Sequence, residues 1–161
     1  MATSTHTLID SRTLGSSAAS VTFSSIPQTY SDLVVVVSAK AFDSDEYTYM
    51  WINGDKTTSN YSYVTMFVSN QGYSSSGNNP FAGQVVQAQT CLNVMQVMDY
   101  SANNKHKQTL GRWDLITKQS QCAVVRWANN TAITSLELDH GAGTSQYAAG
   151  STFFLYGILG A

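Results

Sequence analysis

"DLVVVVSAK" occupies residues 32–40. Its four valines are β-branched, stiff at χ1 and suited to a pleated backbone. The apolar run is too short for a helix of ordinary length, and turn-forming residues bound it. It reads as a strand. Successive side chains of a strand point to opposite faces, so Leu33, Val35 and Val37 go one way and Val34 and Val36 the other. Both faces are apolar, and a strand of that kind needs cover on each side.

The same character recurs along the chain. "TLIDSRTL" (7–14), "ASVTF" (19–23), "YTYMWIN" (47–53), "YSYVTMFVS" (61–69), "CLNVMQVMDY" (91–100), "KQTLGRWDLIT" (107–117), "QCAVVRWAN" (121–129), "ITSLELDH" (133–140) and "STFFLYGIL" (151–159) all read as strands. Turn clusters separate them, the longest being "SSSGNNPFAG" (74–83), which reads as a mobile surface loop. Asn53-Gly54 is a hairpin-turn signal. A short helix at 61–67 or 84–89 is the only helical reading available. Nine or ten short strands without an internal repeat predict a single-domain, all-β, jelly-roll-like antiparallel β-sandwich over residues 1–161.

Three strands are apolar on both faces. Besides 33–37, Tyr47, Tyr49 and Trp51 oppose Met50 and Ile52, and Phe153, Leu155 and Leu159 oppose Phe154, Tyr156 and Ile158. A two-layer sandwich leaves one face of each sheet wet. The extra cover is expected from a flap of the same chain or from another subunit. Phe153, Leu155 and Leu159 are the candidate partner-contact set, with Tyr73 as the ring expected to be exposed in the 70–83 segment.

Composition narrows the function classes. The formal net charge is −2 and only 11% of residues are charged, against about 25% in an average domain. Ser and Thr supply 38 residues of the polar complement. Such a surface is hydrated but has little long-range field, which argues against nucleic acid or an anionic membrane as partner. The opening "MATSTHTLIDSR" has neither the basic nor the apolar region of an export signal.

No motif for a nucleotide-binding loop, a zinc protease or a serine hydrolase occurs. His6, His106 and His140 are scattered, and no catalytic residue is assigned. Asp43, Asp45 and Glu46 in "FDSDEY" carry hard oxygen ligands, but lack the spacing of a calcium loop; a solvated acidic turn is the plainer reading. Cys91 and Cys122 read as small buried side chains, with a cross-strand disulfide as the alternative. Exposed aromatic rings could stack on sugars; packing in the core or between subunits is the plainer reading.

Several segments resemble a family of small virion structural proteins of tailed bacteriophages. "SSAASVTFSSIPQTYSDLVVVVSAKA" (16–41) carries its Ser-rich lead, then Thr22-Phe23, Ile26-Pro27, Tyr30 and Asp32-Leu33. "INGDKTTSNYSY" (52–63) is similar to its N-G-D…N-Y-S segment. "MDYSANNKHK" (98–107), "WANNTAITSLEL" (127–138) and "GSTFFLYGI" (150–158) resemble its later motifs. Residues 66–97 match little. The resemblance implies a jelly-roll sandwich without catalysis or cofactor, located on the capsid surface of a virion. It implies a decoration (cement) protein that binds the major capsid protein and self-associates as a dimer or trimer. The alternative within the same resemblance is a tail-fibre module that binds host-surface glycan.

Overall fold

The computed structural model describes residues 5–68, 73–87, 89–115, 119–140 and 145–160. Its strands are β1 (His6–Thr13), β2 (Ser20–Phe23), β3 (Asp32–Ala39), β4 (Glu46–Ile52), β5 (Tyr61–Val68), β6 (Tyr73–Gly77), β7 (Phe81–Val85), β8 (Cys91–Met98), β9 (Lys107–Leu115), β10 (Gln119–Trp127), β11 (Leu136–His140) and β12 (Thr152–Ile158). They form an eight-stranded sheet in the order β1-β12-β3-β8-β9-β10-β5-β6 and a four-stranded sheet in the order β2-β11-β4-β7. The pairings are antiparallel.

The chain crosses between the sheets at β1–β2, β2–β3, β3–β4, β4–β5, β6–β7, β7–β8, β10–β11 and β11–β12. That alternation is the wiring of a jelly roll. The strands β1-β12-β3-β8 and β2-β11-β4-β7 make the two four-stranded sheets of the jelly roll, and β9, β10, β5 and β6 extend the large sheet beyond β8.

One continuous core lies between the sheets. Leu33, Val35, Val37, Met95, Val97, Phe153 and Leu155 from the large sheet are fully buried against Leu136, Leu138, Phe23 and Met50 from the small one. Each fully buried side chain of this size contributes roughly 1.5–3 kcal/mol through the area removed from water.

The segment 74–83, expected as a loop, contains most of β6 and the start of β7. Both escape an alternation test for a physical reason. Tyr73–Gly77 is an edge strand, held by backbone pairing to Phe67–Tyr63 rather than by apolar side chains. In β7, Gly83 looks like a loop residue, yet it is there for space: a β-carbon would come within 2.6 Å of the Asn93 Oδ1. Phe81 is 6% exposed, packed edge-on against Trp113 and stacked near Tyr63. The segment 61–67 is strand β5, not helix.

Asn53 and Gly54 do take positive φ, 52° and 71°, and the Asp55 amide donates to the Ile52 carbonyl at 2.9 Å. The turn is not a hairpin between paired strands, however. It carries the chain from β4 in the small sheet to β5 in the large one. Its continuation, residues 55–60, supplies the second cover that Trp51 needs. Lys56 lies 4.8 Å from the Trp51 ring and forms ion pairs with Glu137 and Asp139, while Trp51 Nε1 donates to Asp139 at 2.8 Å.

Tyr30 closes one end of the large sheet by laying its ring on Gly157. A β-carbon there would sit 2.3 Å from the Tyr30 Cγ, too near the ring's root to be relieved by a rotation. Gly157→Ala is expected to lower stability by about 1–3 kcal/mol through overpacking. In urea titrations the double variant Tyr30→Ala/Gly157→Ala should lose no more than Tyr30→Ala alone, because the clash has gone.

Candidate interaction surface

The residues that carry the family resemblance meet one another at one end of the sandwich. Asp32, at the mouth of β3, accepts the Asp99 amide at 2.9 Å and the Gln96 side-chain amide at 2.8 Å. The Tyr100 hydroxyl donates to the Pro27 carbonyl and accepts the Tyr30 amide. Asn53 Oδ1 accepts the amides of Thr134 and Ser135, and its amide donates to the Ala132 carbonyl. Asp55 accepts from Trp127 Nε1, Asn60 Nδ2 and the Thr57 amide. The buried Lys107 ammonium donates to the carbonyls of Ala102, Lys105 and Asn130. Burial pushes its pKa below the usual lysine range, Lys105 adds to this and Asp99 opposes it. These groups fasten loops to strand ends. Their hydrogen bonds are used within the fold.

The outer face of the large sheet differs in kind. Directly opposed residues of neighbouring strands share a face, so the register defines rows across the sheet. One row runs Leu8, Tyr156, Val34, Gln96, Leu110, Val124, Val64, Ser76. The next runs Ser11, Phe154, Val36, Val94, Arg112, Cys122, Met66, Ser74. The two rows form an apolar band crossing the sheet, with Arg112 as their one charged residue. Leu110, Val124, Val64 and Met66 are 46%, 49%, 54% and 58% exposed. The rows beyond are mixed: Ile158, Asp32, Met98, Gln108, Arg126 and Ser62 on one side, Thr152, Ser38, Leu92, Asp114 and Ser120 on the other. A shallow depression of about 390 Å³ opens within the band over Val34, Val94, Leu110 and Cys122.

A second feature lies where β4, β5, β6 and β7 come together. Tyr47, Tyr49, Tyr63 and Phe81 line a cleft of about 140 Å³ with Thr65, Ser75 and Asn79. Tyr47 is 50% exposed and meets Phe81 edge-on at 5.1 Å. Aromatic faces beside amide and hydroxyl groups make a surface on which a sugar ring could stack.

The structure assigns the faces of β12 the other way from the candidate contact set. Phe153 and Leu155 are 0% exposed and belong to the core, because the small sheet of the same chain covers them. The outward set is Phe154, Tyr156 and Ile158, all partly exposed. Leu159 follows the strand and is 46% exposed, its amide bonded to the Thr5 carbonyl. The Tyr73 backbone pairs with Phe67 in the edge strand; its side chain lies outside the described residues. Sequence reasoning missed Val64, Met66, Leu110 and Val124. Each faces away from core neighbours in its strand, but which of them share a row depends on the strand order.

The remaining candidates do not assemble into a site. Among the described residues no group of three or more His, Cys, Asp or Glu side chains comes together. Asp45 accepts the Gln87 amide, while Asp55 serves Trp127 at the opposite end of β4. Cys91 and Cys122 are free, the first buried in the core and the second in the outer band. His140 is buried with its ring 4.3 Å from that of Tyr147. Burial holds its pKa below the ordinary histidine range, against the opposing pull of Asp139.

That shift makes a stability prediction with a definite sign. Above about pH 6.5 the imidazole is neutral in both states and the shift has no effect. As pH falls below that value the unfolded chain takes up a proton that the folded chain resists, so stability falls toward the depressed folded pKa. Melting temperatures between pH 7.5 and 5 should decline for the parent chain and decline less steeply for His140→Phe.

No protein-family model matches the chain, and the search of curated proteins found no match. The candidate site is therefore defined by geometry: an open apolar band on the large sheet, with an aromatic cleft at the sandwich edge.

Proposed function

We propose that this protein is a structural component of a tailed-phage virion, most concretely a capsid decoration protein that binds the outer surface of the major capsid protein shell and stabilises it. The observation that carries the reading is the apolar band. A sheet that keeps two aligned apolar rows on its outer face is suited to being covered by protein. Patches on monomeric proteins rarely exceed a few hundred Å². The resemblance of the loop-fastening segments to virion proteins supplies the setting, and repetition over many identical shell sites would supply avidity.

The test is add-back. Expanded heads lacking the protein, incubated with the purified chain, should bind it to saturation and disrupt at a higher temperature. Heads that neither bind it nor gain heat resistance overturn the reading.

The aromatic cleft favours a second reading, a tail-fibre module that holds host-surface glycan. A glycan array would then give hits that disappear in Tyr47→Ala. Hits that survive this substitution, or an array without hits, remove this alternative.

A further inference from the structure

We infer that the apolar band is the contact face of a symmetric dimer, occupied by a second copy of this chain packed sheet to sheet. This deepens the assembly reading and rests on its premise that protein covers the open face; it names a second copy as the cover, so that the pair meets the shell through surfaces other than the band.

The area fits. Eight strands about 4.8 Å apart, with outward residues about 6.7 Å apart along each, give a face of roughly 800–900 Å² over the two apolar rows and their rims. A stable interface buries about 800 Å² per partner. The distribution of polarity fits as well: the apolar centre passes into rows where polar residues outnumber Ile158, Met98 and Leu92, and polarity rising from centre to rim is the anatomy of such contacts.

The pattern is also self-complementary. The two apolar rows have a mixed row on each side, with Ile158 and Met98 among Asp32, Gln108, Arg126 and Ser62, and Leu92 among Thr152, Ser38, Asp114 and Ser120. Rotating a copy by 180° about an axis through the middle of the band lays apolar rows on apolar rows and rim on rim. Both copies have the same right-handed twist, so the faces nest as aligned sheets do inside a sandwich. An isologous contact of this kind uses the same patch on both partners and closes at two subunits. An unrelated partner would have to match both the twist and the central position of the band; a second copy matches both by construction.

The experiment uses the full chain. Sedimentation across about 1–100 µM, a range that brackets ordinary dimer affinities, should show a monomer–dimer equilibrium. Val124→Glu, on a half-exposed position in the middle of the band, should weaken pairing by roughly 10-fold or more, because a carboxylate there must leave water on pairing even where it meets the diagonal Arg112. Phe42→Ser removes a ring that is 53% exposed and outside the rows; it should leave pairing unchanged. Cys122 gives an independent readout, since its thiol lies in the band while Cys91 is buried in the core. Maleimide labelling of Cys122 should slow as concentration rises in the parent chain and stay fast in Val124→Glu. Circular dichroism should confirm that the variant is folded. If Val124→Glu does not fold, Leu110→Gln at the neighbouring position of the same row replaces it.

A parent chain that is monomeric throughout overturns the inference, as does a trimer, or a dimer that Val124→Glu leaves intact. The two readings separate cleanly. A monomer that still binds heads overturns the pairing alone, and a dimer that ignores heads overturns the decoration reading alone.

Discussion

Asp55→Ala is expected to lower the unfolding free energy by about 3 kcal/mol, although its side chain lies at the surface end of a turn. The carboxylate accepts three hydrogen bonds, from Trp127 Nε1 at 2.8 Å, Asn60 Nδ2 at 2.8 Å and the Thr57 amide at 3.0 Å. Bonds to a charged acceptor contribute roughly 1.5–3 kcal/mol each in favourable cases, and a buried donor left alone costs a further 1–3. Trp127 is 2% exposed, so water cannot replace the missing partner. The same turn is held from the other side by Tyr61, whose hydroxyl donates to the Asp55 carbonyl and accepts the Ile52 amide. Losing Asp55 therefore loosens the crossing from the small sheet to the large one.

The pH dependence separates this account from a general loss of packing. Burial pushes the Asp55 pKa up, but the bonds from Trp127, Asn60 and Thr57 outweigh it and leave the carboxyl below its usual range. A depressed folded pKa gives stability that is complete above the unfolded value near 3.9 and is lost as pH falls through the folded one. Urea titrations should show the full gap between the parent chain and Asp55→Ala at pH 7. The gap should narrow below about pH 4. A gap that persists unchanged in acid would mean that the charge is not what holds the turn.

The fold was legible in the sequence wherever one residue type has one physical use. Ten runs of β-branched and aromatic residues became strands because periodicity and turn chemistry agree there. Asp32 opens the strand at 32–40, where a carboxylate suits the amides of an adjoining turn, and it bonds the Asp99 amide. The positive φ at Asn53-Gly54 was legible too, but its destination was not: a two-residue turn specifies local twist, and which sheet receives the next strand depends on where β5 finds its partner in β10. β6 and β7 were hidden because an edge strand needs only backbone pairing, and because Gly83 answers to Asn93, ten residues away in sequence. The apolar band was half legible. Val34 and Val36 announced a second apolar face, but its extent depends on eight strands being brought into one register.

β12 is the sharpest case, since both of its faces are apolar and sequence cannot say which is inside. Phe153→Ala is expected to cost about 3–5 kcal/mol, the usual penalty for removing a buried aromatic ring. Its ring is 0% exposed and packs edge-on against Tyr147 at 4.9 Å. Phe154→Ala should cost about 1–2 kcal/mol in the isolated monomer, as for a substitution at a partly exposed strand position. The Phe154 ring stacks on Tyr156 at 6.3 Å on the outer face, between Ser11 and Val36 in the second apolar row. Phe153→Asp should unfold the chain, since the carboxylate would enter a core closed by the chain's own second sheet. Phe154→Asp should leave a folded protein and act on association. Urea midpoints at low protein concentration, read beside sedimentation at high concentration, separate the two effects. Equal losses of stability at both positions would mean that the large sheet is covered on both faces within one chain, and would remove the ground for an assembly contact there.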